Sequence, residues 1–307
     1  MEWTIEKLLS WSTDYLHQRA ILNPRLDSEI LLSYILETNR IGLYLDYKRP
    51  LTPSELKGFK GVIKRRVCRE PVHYITGRRE FWSLEFKVNR DVLIPRPETE
   101  VLVEKALNTI KREFNMSAPC DISILDLGTG CGNIAVSLAK EIDCCTVVAV
   151  DRYEKVLSLA SENARDHGVL NKIEFLRGDL FAALNGKIKR SVSIGRPLKF
   201  DIIISNPPYI PSGELKNLSP EIRDFEPLGA LDGGEDGLDY HRRIVEGAPS
   251  YLKEGGYLFM EIGAGQGRDI CDIIKEMICF GNQYPELVKD YSGIERVVAA
   301  KKICEQE

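Results

Sequence analysis

Five apolar runs in the last two-thirds of the chain constrain the fold most: residues 122–127, 146–151, 173–178, 200–205 and 256–262. Apart from Glu174 and Arg177 in the third, these runs are largely continuous instead of alternating, which is the pattern of strands buried on both faces. Helical patterns separate them. Strands of this kind joined by helical crossovers predict an open α/β fold, a parallel sheet with helices on both sides. A last pair of runs, 287–289 and 296–300, is joined by a spacer short enough for a hairpin, which predicts an antiparallel edge.

Residues 1 to about 80 read as helices instead. Ile5, Leu8, Leu9, Trp11, Tyr15 and Leu16 follow helical spacing. Asn23-Pro24 offers an N-cap with proline at the first helical position, followed by Leu26, Ile30, Leu31, Tyr34 and Ile35 on one face. Thr52-Pro53-Ser54-Glu55 is a capping box that opens a helix towards Cys68, and Pro71 lies beyond its end. Short, separately capped helices predict a small bundle. Between 75 and 97 the pattern changes to alternation (Phe81, Leu84, Phe86, Val88, then Val92-Leu93-Ile94). A β-hairpin turning at Asn89-Arg90-Asp91 is expected there. The expected boundaries are a helical domain at 1–74, a hairpin linker at 75–97 and the α/β domain at 98–307. Pro95-Arg96-Pro97-Glu98 leads into that domain's first helix, carrying Val101, Leu102, Ala106 and Leu107.

At 307 residues, the chain has the length for both domains and a sizeable core. Its 42 Lys and Arg against 46 Asp and Glu give a net charge of −4. Strong non-specific binding to nucleic acid needs an excess of phosphate-neutralising cations, so none is expected. No apolar stretch approaches the roughly 20 residues of a membrane span. The first twelve residues read as an amphipathic helix, not a signal peptide, so the cytoplasm is the expected compartment. The eight cysteines form no C-x-x-C pair and the four histidines are scattered, so no metal site is expected. The basic stretch 187–199 is expected to be a surface loop.

Asp126-Leu127-Gly128-Thr129-Gly130-Cys131-Gly132 runs from a strand into a helix beginning near Asn133. Glycines let a backbone turn sharply and approach a ligand closely. The spacing is not the dinucleotide fingerprint, and alone it fits a ligand cradle or a structural turn. Asp151 ends the next strand, about twenty residues on, where a carboxylate can accept from two ribose hydroxyls. Asp179, with Leu180 beside it, ends the third strand on the same rim and can accept from an adenine amino group. Asn206-Pro207-Pro208-Tyr209 follows the fourth strand, at the end of the sheet where open α/β folds hold ligands. The Asn206 side-chain carbonyl and the Pro207 backbone carbonyl can both accept from one NH2 group. Prolines fix φ and lack an N–H, so the loop is stiff. Tyr209 adds a flat surface. Such a grip suits methyl transfer to a planar nitrogen, and an adenine and a side-chain amide both remain open. The glycine-rich stretch 226–238 reads as a loop near the site. Residues 260–267 read as a strand end and second tight turn, with Glu261 at the rim and no catalytic role assigned to it.

Together these segments resemble the release factor glutamine methyltransferase (HemK/PrmC) family over essentially the whole chain. The resemblance is carried by Asn23-Pro24-Arg25-Leu26-Asp27, residues 71–77, Ile94-Pro95-Arg96-Pro97-Glu98-Thr99-Glu100, the glycine loop, Asn206-Pro207-Pro208-Tyr209, residues 226–238 and residues 260–267. Asn-Pro-Pro-Tyr is shared with methyltransferases of DNA adenine, whereas Arg96-Pro97-Glu98-Thr99-Glu100 is more specific. Cys131 stands where the family often has Ser or Thr, and His73 where it often has Gln.

The resemblance implies a Rossmann-like methyltransferase domain behind a helical domain. It implies S-adenosylmethionine as methyl donor, S-adenosylhomocysteine as product, and the Gly-Gly-Gln glutamine of class I peptide-chain release factors as substrate. By matching motif, Gly128, Thr129, Gly130, Cys131, Gly132 and Asp151 bind the donor, and Asp179 and Leu180 lie against its adenine. Asn206 touches donor and substrate, and Pro207, Pro208 and Tyr209 shape the glutamine pocket.

Overall fold

The N-terminal helices start where the sequence caps them. In a computed structural model, which describes residues 2–114, 122–185, 198–280 and 285–303, Thr52 and Glu55 form both halves of the capping box ahead of helix Pro53–Val67. Helix Ile5–His17 is capped by the Thr4 hydroxyl. Asn23 does sit at the N-cap of helix Pro24–Ile35, but its side chain makes no capping hydrogen bond and Pro24 alone sets the start. The face this helix buries also differs from the apolar stripe in its sequence. Leu26 and Tyr34 are exposed, while Asp27, Ser28 and Glu29 are buried beside Leu31 and Leu32. Ion pairs make that possible. Arg66 donates to Asp27 at 2.6 Å, and Arg25 and Arg40 both donate to Glu29. A buried acid with a charged partner costs far less than one without.

The chain divides into two compact units, Met1–Arg78 with Leu218–Glu226, and Arg79–Asn217 with Pro227–Glu307. The first is built on Leu8, Leu9, Leu16, Leu31, Leu32, Phe59 and Ile63. Glu221, from the returning segment, accepts from Arg66 and Arg69 within that unit.

A hairpin of β1 (Arg78–Phe81) and β2 (Leu84–Lys87) precedes the sheet of the second unit. Its turn is at Trp82-Ser83, seven residues before the Asn89 of the expected turn. Both turn residues have positive φ, +53° and +56°. Two-residue hairpin turns of this kind match the twist of the strands but usually take Asn or Gly. Here the Trp82 backbone N–H donates to Glu100 and its indole N–H to Glu141, both at 2.9 Å, which holds the turn in place.

The second unit contains a seven-stranded sheet. Its strands are β3 (Ile122–Leu127), β4 (Cys145–Asp151), β5 (Ile173–Arg177), β6 (Phe200–Ser205), β7 (Leu252–Glu261), β8 (Glu286–Lys289) and β9 (Glu295–Lys301). The order is β5-β4-β3-β6-β7-β9-β8. The first five are parallel, and β9 runs antiparallel to both β7 and β8, giving the expected antiparallel edge. Chain order reverses direction between β3 and β6, and a crevice opens beyond the carboxyl ends of strands at such a switch point. Leu127 pairs with Ser205 in register, so the two loops that follow leave the sheet side by side. Of the basic stretch 187–199, all but its last two residues lies outside the described residues.

Candidate active site

The glycine loop turns where only glycine turns easily. Gly128, Gly130 and Gly132 have φ of +76°, +56° and +84°. A Cβ on Gly128 or Gly130 would meet open space, so these two face the side from which a ligand can approach. A Cβ on Gly132 would lie 3.1 Å from that of Ala160; this glycine brings two helices together and does not line the cleft. The Gly128 and Thr129 N–H groups both donate to the Val150 carbonyl at 2.9 Å, tying the loop to β4. Asn163, buried, donates to the Cys131 carbonyl and fixes the far side. Burial pushes the Cys131 thiol up to about 12, so it is a neutral packing group.

Asp151 ends β4 opposite this loop. Its carboxylate accepts from the Gly130 N–H at 3.1 Å and the Tyr153 N–H at 3.2 Å, and burial outweighs these bonds to raise its pKa. Asp179 is more exposed and has one oxygen already engaged, with Arg152 at 2.9 Å and Arg243 at 2.7 Å. Despite the opposing burial, those partners hold its pKa below the usual carboxylate value. Leu180 has φ of +48°, a left-handed conformation rare outside glycine, and it still forms part of the wall. Beneath the glycine loop, Asp126 is fully buried. Thr129 donates to its Oδ2 at 2.7 Å and its Oδ1 has no partner. Burial raises this carboxyl to about 7.

Asn206-Pro207-Pro208-Tyr209 leaves β6 across from these groups. The Asn206 amide donates through Nδ2 to the Thr99 hydroxyl at 3.1 Å. Pro207 is buried and Pro208 half-buried. The Tyr209 hydroxyl turns away from the cleft and donates to Glu261 Oε1 at 3.3 Å. Its carbonyl accepts from Gln266 at 2.9 Å. Residues 227–238 lie directly against this loop, where Ile210 and Asp232 form a parallel bridge. A Cβ on Gly233 would come 2.8 Å from Tyr209 Cα, and one on Gly237 2.4 Å from its carbonyl oxygen. The glycines of that stretch are therefore needed for close approach.

One cleft joins the two loops. Gly128, Thr129, Gly130, Cys131, Asp151, Asp179, Leu180, Asn206, Pro207 and Pro208 all line it; Gly132 and Tyr209 stand behind the lining. Arg96, Thr99, Arg152 and Tyr240 also line it, and the sequence motifs alone give none of these a role. Arg96 and Thr99 lie in the 96–100 segment, which in the sequence carries only the family resemblance.

The donor set fits a nucleoside-containing sulfonium ligand. A carboxylate suits ribose hydroxyls, open glycine backbone suits close approach, and apolar walls suit a purine. Among the described residues no group of three His, Cys, Asp or Glu is placed to hold a metal, and no helix is long and apolar enough to cross a membrane.

The PrmC N-terminal domain family matches residues 7–77, and a methyltransferase domain family matches residues 120–261. A methyltransferase of known structure from Pyrococcus furiosus is 17% identical, covering 72% of this chain and 90% of that one with a TM-score of 0.46. The release factor glutamine methyltransferase of Thermodesulfovibrio yellowstonii is 38% identical over 90% of this chain and 92% of its own. That of Geobacter sulfurreducens is 42% identical over 97% of both chains. With nearly the full length aligned at such identities, this chain belongs to the release factor glutamine methyltransferase family.

Proposed function

We propose that this chain methylates the N5 side-chain amide nitrogen of the glutamine in the Gly-Gly-Gln motif of class I peptide-chain release factors. The observation that carries this is the side-by-side exit of the glycine loop and the Asn206 loop over one cleft. S-adenosylmethionine, bound in that cleft, supplies an electrophilic methyl group and leaves as S-adenosylhomocysteine. Gly128, Thr129, Gly130 and Cys131 approach it through backbone, Gly132 supports their turn, Asp151 accepts from its ribose, and Asp179 and Leu180 flank its adenine.

An amide nitrogen is a poor nucleophile because resonance ties up its lone pair. Asn206 Oδ1 and the Pro207 carbonyl accept from the two N–H bonds and aim the nitrogen. Pro208 forms the adjoining wall, and Tyr209 braces it from behind. Positioning of this kind is worth roughly 7–11 kcal/mol when the bound geometry is close to attack. Among the described residues none lining the cleft is a His or Lys, so the residues act by orientation and the released proton goes to solvent.

The helical domain, residues 1–74, contacts the release factor away from the glutamine, since a three-residue motif offers little area. Leu22, Ile41 and Leu45 are 83%, 71% and 81% exposed and suit such a contact. Lysine at these three positions should raise KM for intact release factor and leave kcat unchanged. The reaction belongs in the cytoplasm and needs no stable nucleic-acid binding.

Tritiated donor offered with either purified release factor or unmethylated DNA tests the assignment. Label in the release factor supports it. Label in the DNA alone would make the chain an adenine methyltransferase.

A further inference from the structure

Glu261 is a buried carboxyl to which the reaction above gives no role. It ends β7 and is 1% exposed. The Tyr209 hydroxyl donates to its Oε1 at 3.3 Å, while Oε2 is buried without a partner. The buried Thr99 hydroxyl is its other neighbouring donor. Thr99 is in turn the acceptor for Asn206 Nδ2 at 3.1 Å. Burial pushes the Glu261 carboxyl up to about 7, against the hydrogen bonds from Thr99 and Tyr209 and the charge of Arg296. His241 donates from Nε2 to the Glu261 backbone carbonyl at 2.9 Å and fixes the strand end.

The polarity of this chain of groups is set by chemistry. A carboxylate only accepts, whereas a hydroxyl has one proton and two lone pairs. When Glu261 takes the Thr99 proton, Thr99 can offer Asn206 only lone pairs. Only the NH2 side of the Asn206 amide satisfies them. The planar amide then presents Oδ1 on its opposite side, the side left for a ligand. A flipped amide would turn a donor toward an incoming NH2 group, and two donors repel.

We propose that Glu261 is a positioning residue that acts through Thr99 to hold the Asn206 amide with Oδ1 toward the substrate and, through the Tyr209 hydroxyl, keeps the same loop in place. This rests on the proposed reaction at Asn206.

The test uses the full chain in mildly alkaline buffer, where Glu261 is ionised. Glu261→Gln keeps the shape but can donate to Thr99 as readily as accept. Thr99→Val keeps the shape and removes the hydroxyl, and Thr99→Ser restores it. We expect Glu261→Gln and Thr99→Val each to lower kcat for release factor by roughly ten- to a hundredfold. The dissociation constant of S-adenosylmethionine by calorimetry should stay within about twofold, the double variant should lose little more than either single one, and Thr99→Ser should retain activity. Independently of activity, protein labelled with 15N at asparagine should show the Asn206 side-chain amide signal, assigned by its loss in Asn206→Ala, shifted in Glu261→Gln.

An unshifted Asn206 signal, kcat within about twofold of wild type in Glu261→Gln, or losses that multiply in the double variant would overturn the inference. If the wild-type chain transfers no methyl group to release factor, the proposed reaction is what fails. The amide signal then still reads the hydrogen-bond relay.

Discussion

The loops after β3 and β6 leave neighbouring strands at the same edge of the sheet, yet they take shape in opposite ways. The glycine loop bends because three residues reach positive φ at little cost, and it is tied down mostly by its own backbone through Val150 and Asn163. The Asn206 loop has two prolines and few conformations to choose from. Its one adjustable group, the Asn206 amide, is held by a side chain 107 residues away in sequence. The first loop suits a ligand held by backbone and one carboxylate; the second suits a small group whose direction must be fixed. Donor affinity should therefore belong to the first loop and turnover to the second.

Substitutions that separate affinity from turnover can break this division. Asn206→Ala should have the largest effect, a loss of about a hundredfold or more in kcat. Calorimetry on the same variant should show donor affinity changed by no more than about threefold, and an equal fall in affinity would undo the division. Asp151→Ala should do the reverse. Its carboxylate already accepts from Gly130 and Tyr153, and losing charge-assisted bonds to a ribose should weaken donor binding roughly ten- to a hundredfold. Turnover at saturating donor should barely move.

Smaller effects should appear in stability. Gly132→Ala puts a side chain at φ of +84° and 3.1 Å from Ala160 Cβ, which should cost about 1–3 kcal/mol in urea unfolding. Asp126 supplies a pH test. Its folded carboxyl holds a proton up to about 7, whereas the unfolded chain releases it near the ordinary Asp value. Its contribution to stability is thus full below the ordinary value and lost as pH rises towards 7. Glu261, also raised to about 7, acts in the same direction. His241, lowered to about 4, opposes both between there and its ordinary value. Compared with wild type at each pH, Asp126→Asn should gain stability between pH 4 and 7 by up to about 1.4 kcal/mol per unit. Parallel stability curves would show that Asp126 does not titrate in this range.

Much of the sheet was readable because strands buried on both faces leave continuous apolar runs, and all five runs became the parallel strands. Local chemistry was readable too, as in the Thr52–Glu55 capping box. What stayed hidden depended on distant partners. The turn at Trp82-Ser83 is secured by Glu100 and Glu141. The buried acids of helix Pro24–Ile35 rely on arginines from elsewhere in the chain. Leu218–Glu226 joins the N-terminal unit across the whole intervening stretch 79–217. At the cleft, the motifs marked both loops, but in sequence Thr99 is only one residue of the 96–100 segment and Glu261 only an acid at the rim. Only folding places them beneath Asn206 and Tyr209.

The most direct test of the whole account is tandem mass spectrometry of a release factor incubated with this chain and S-adenosylmethionine. The account predicts one added methyl group on the side-chain nitrogen of the Gly-Gly-Gln glutamine, absent when Asn206→Ala replaces the wild-type chain. A methyl group on any other residue, or the same modification at an undiminished rate with Asn206→Ala, would contradict it.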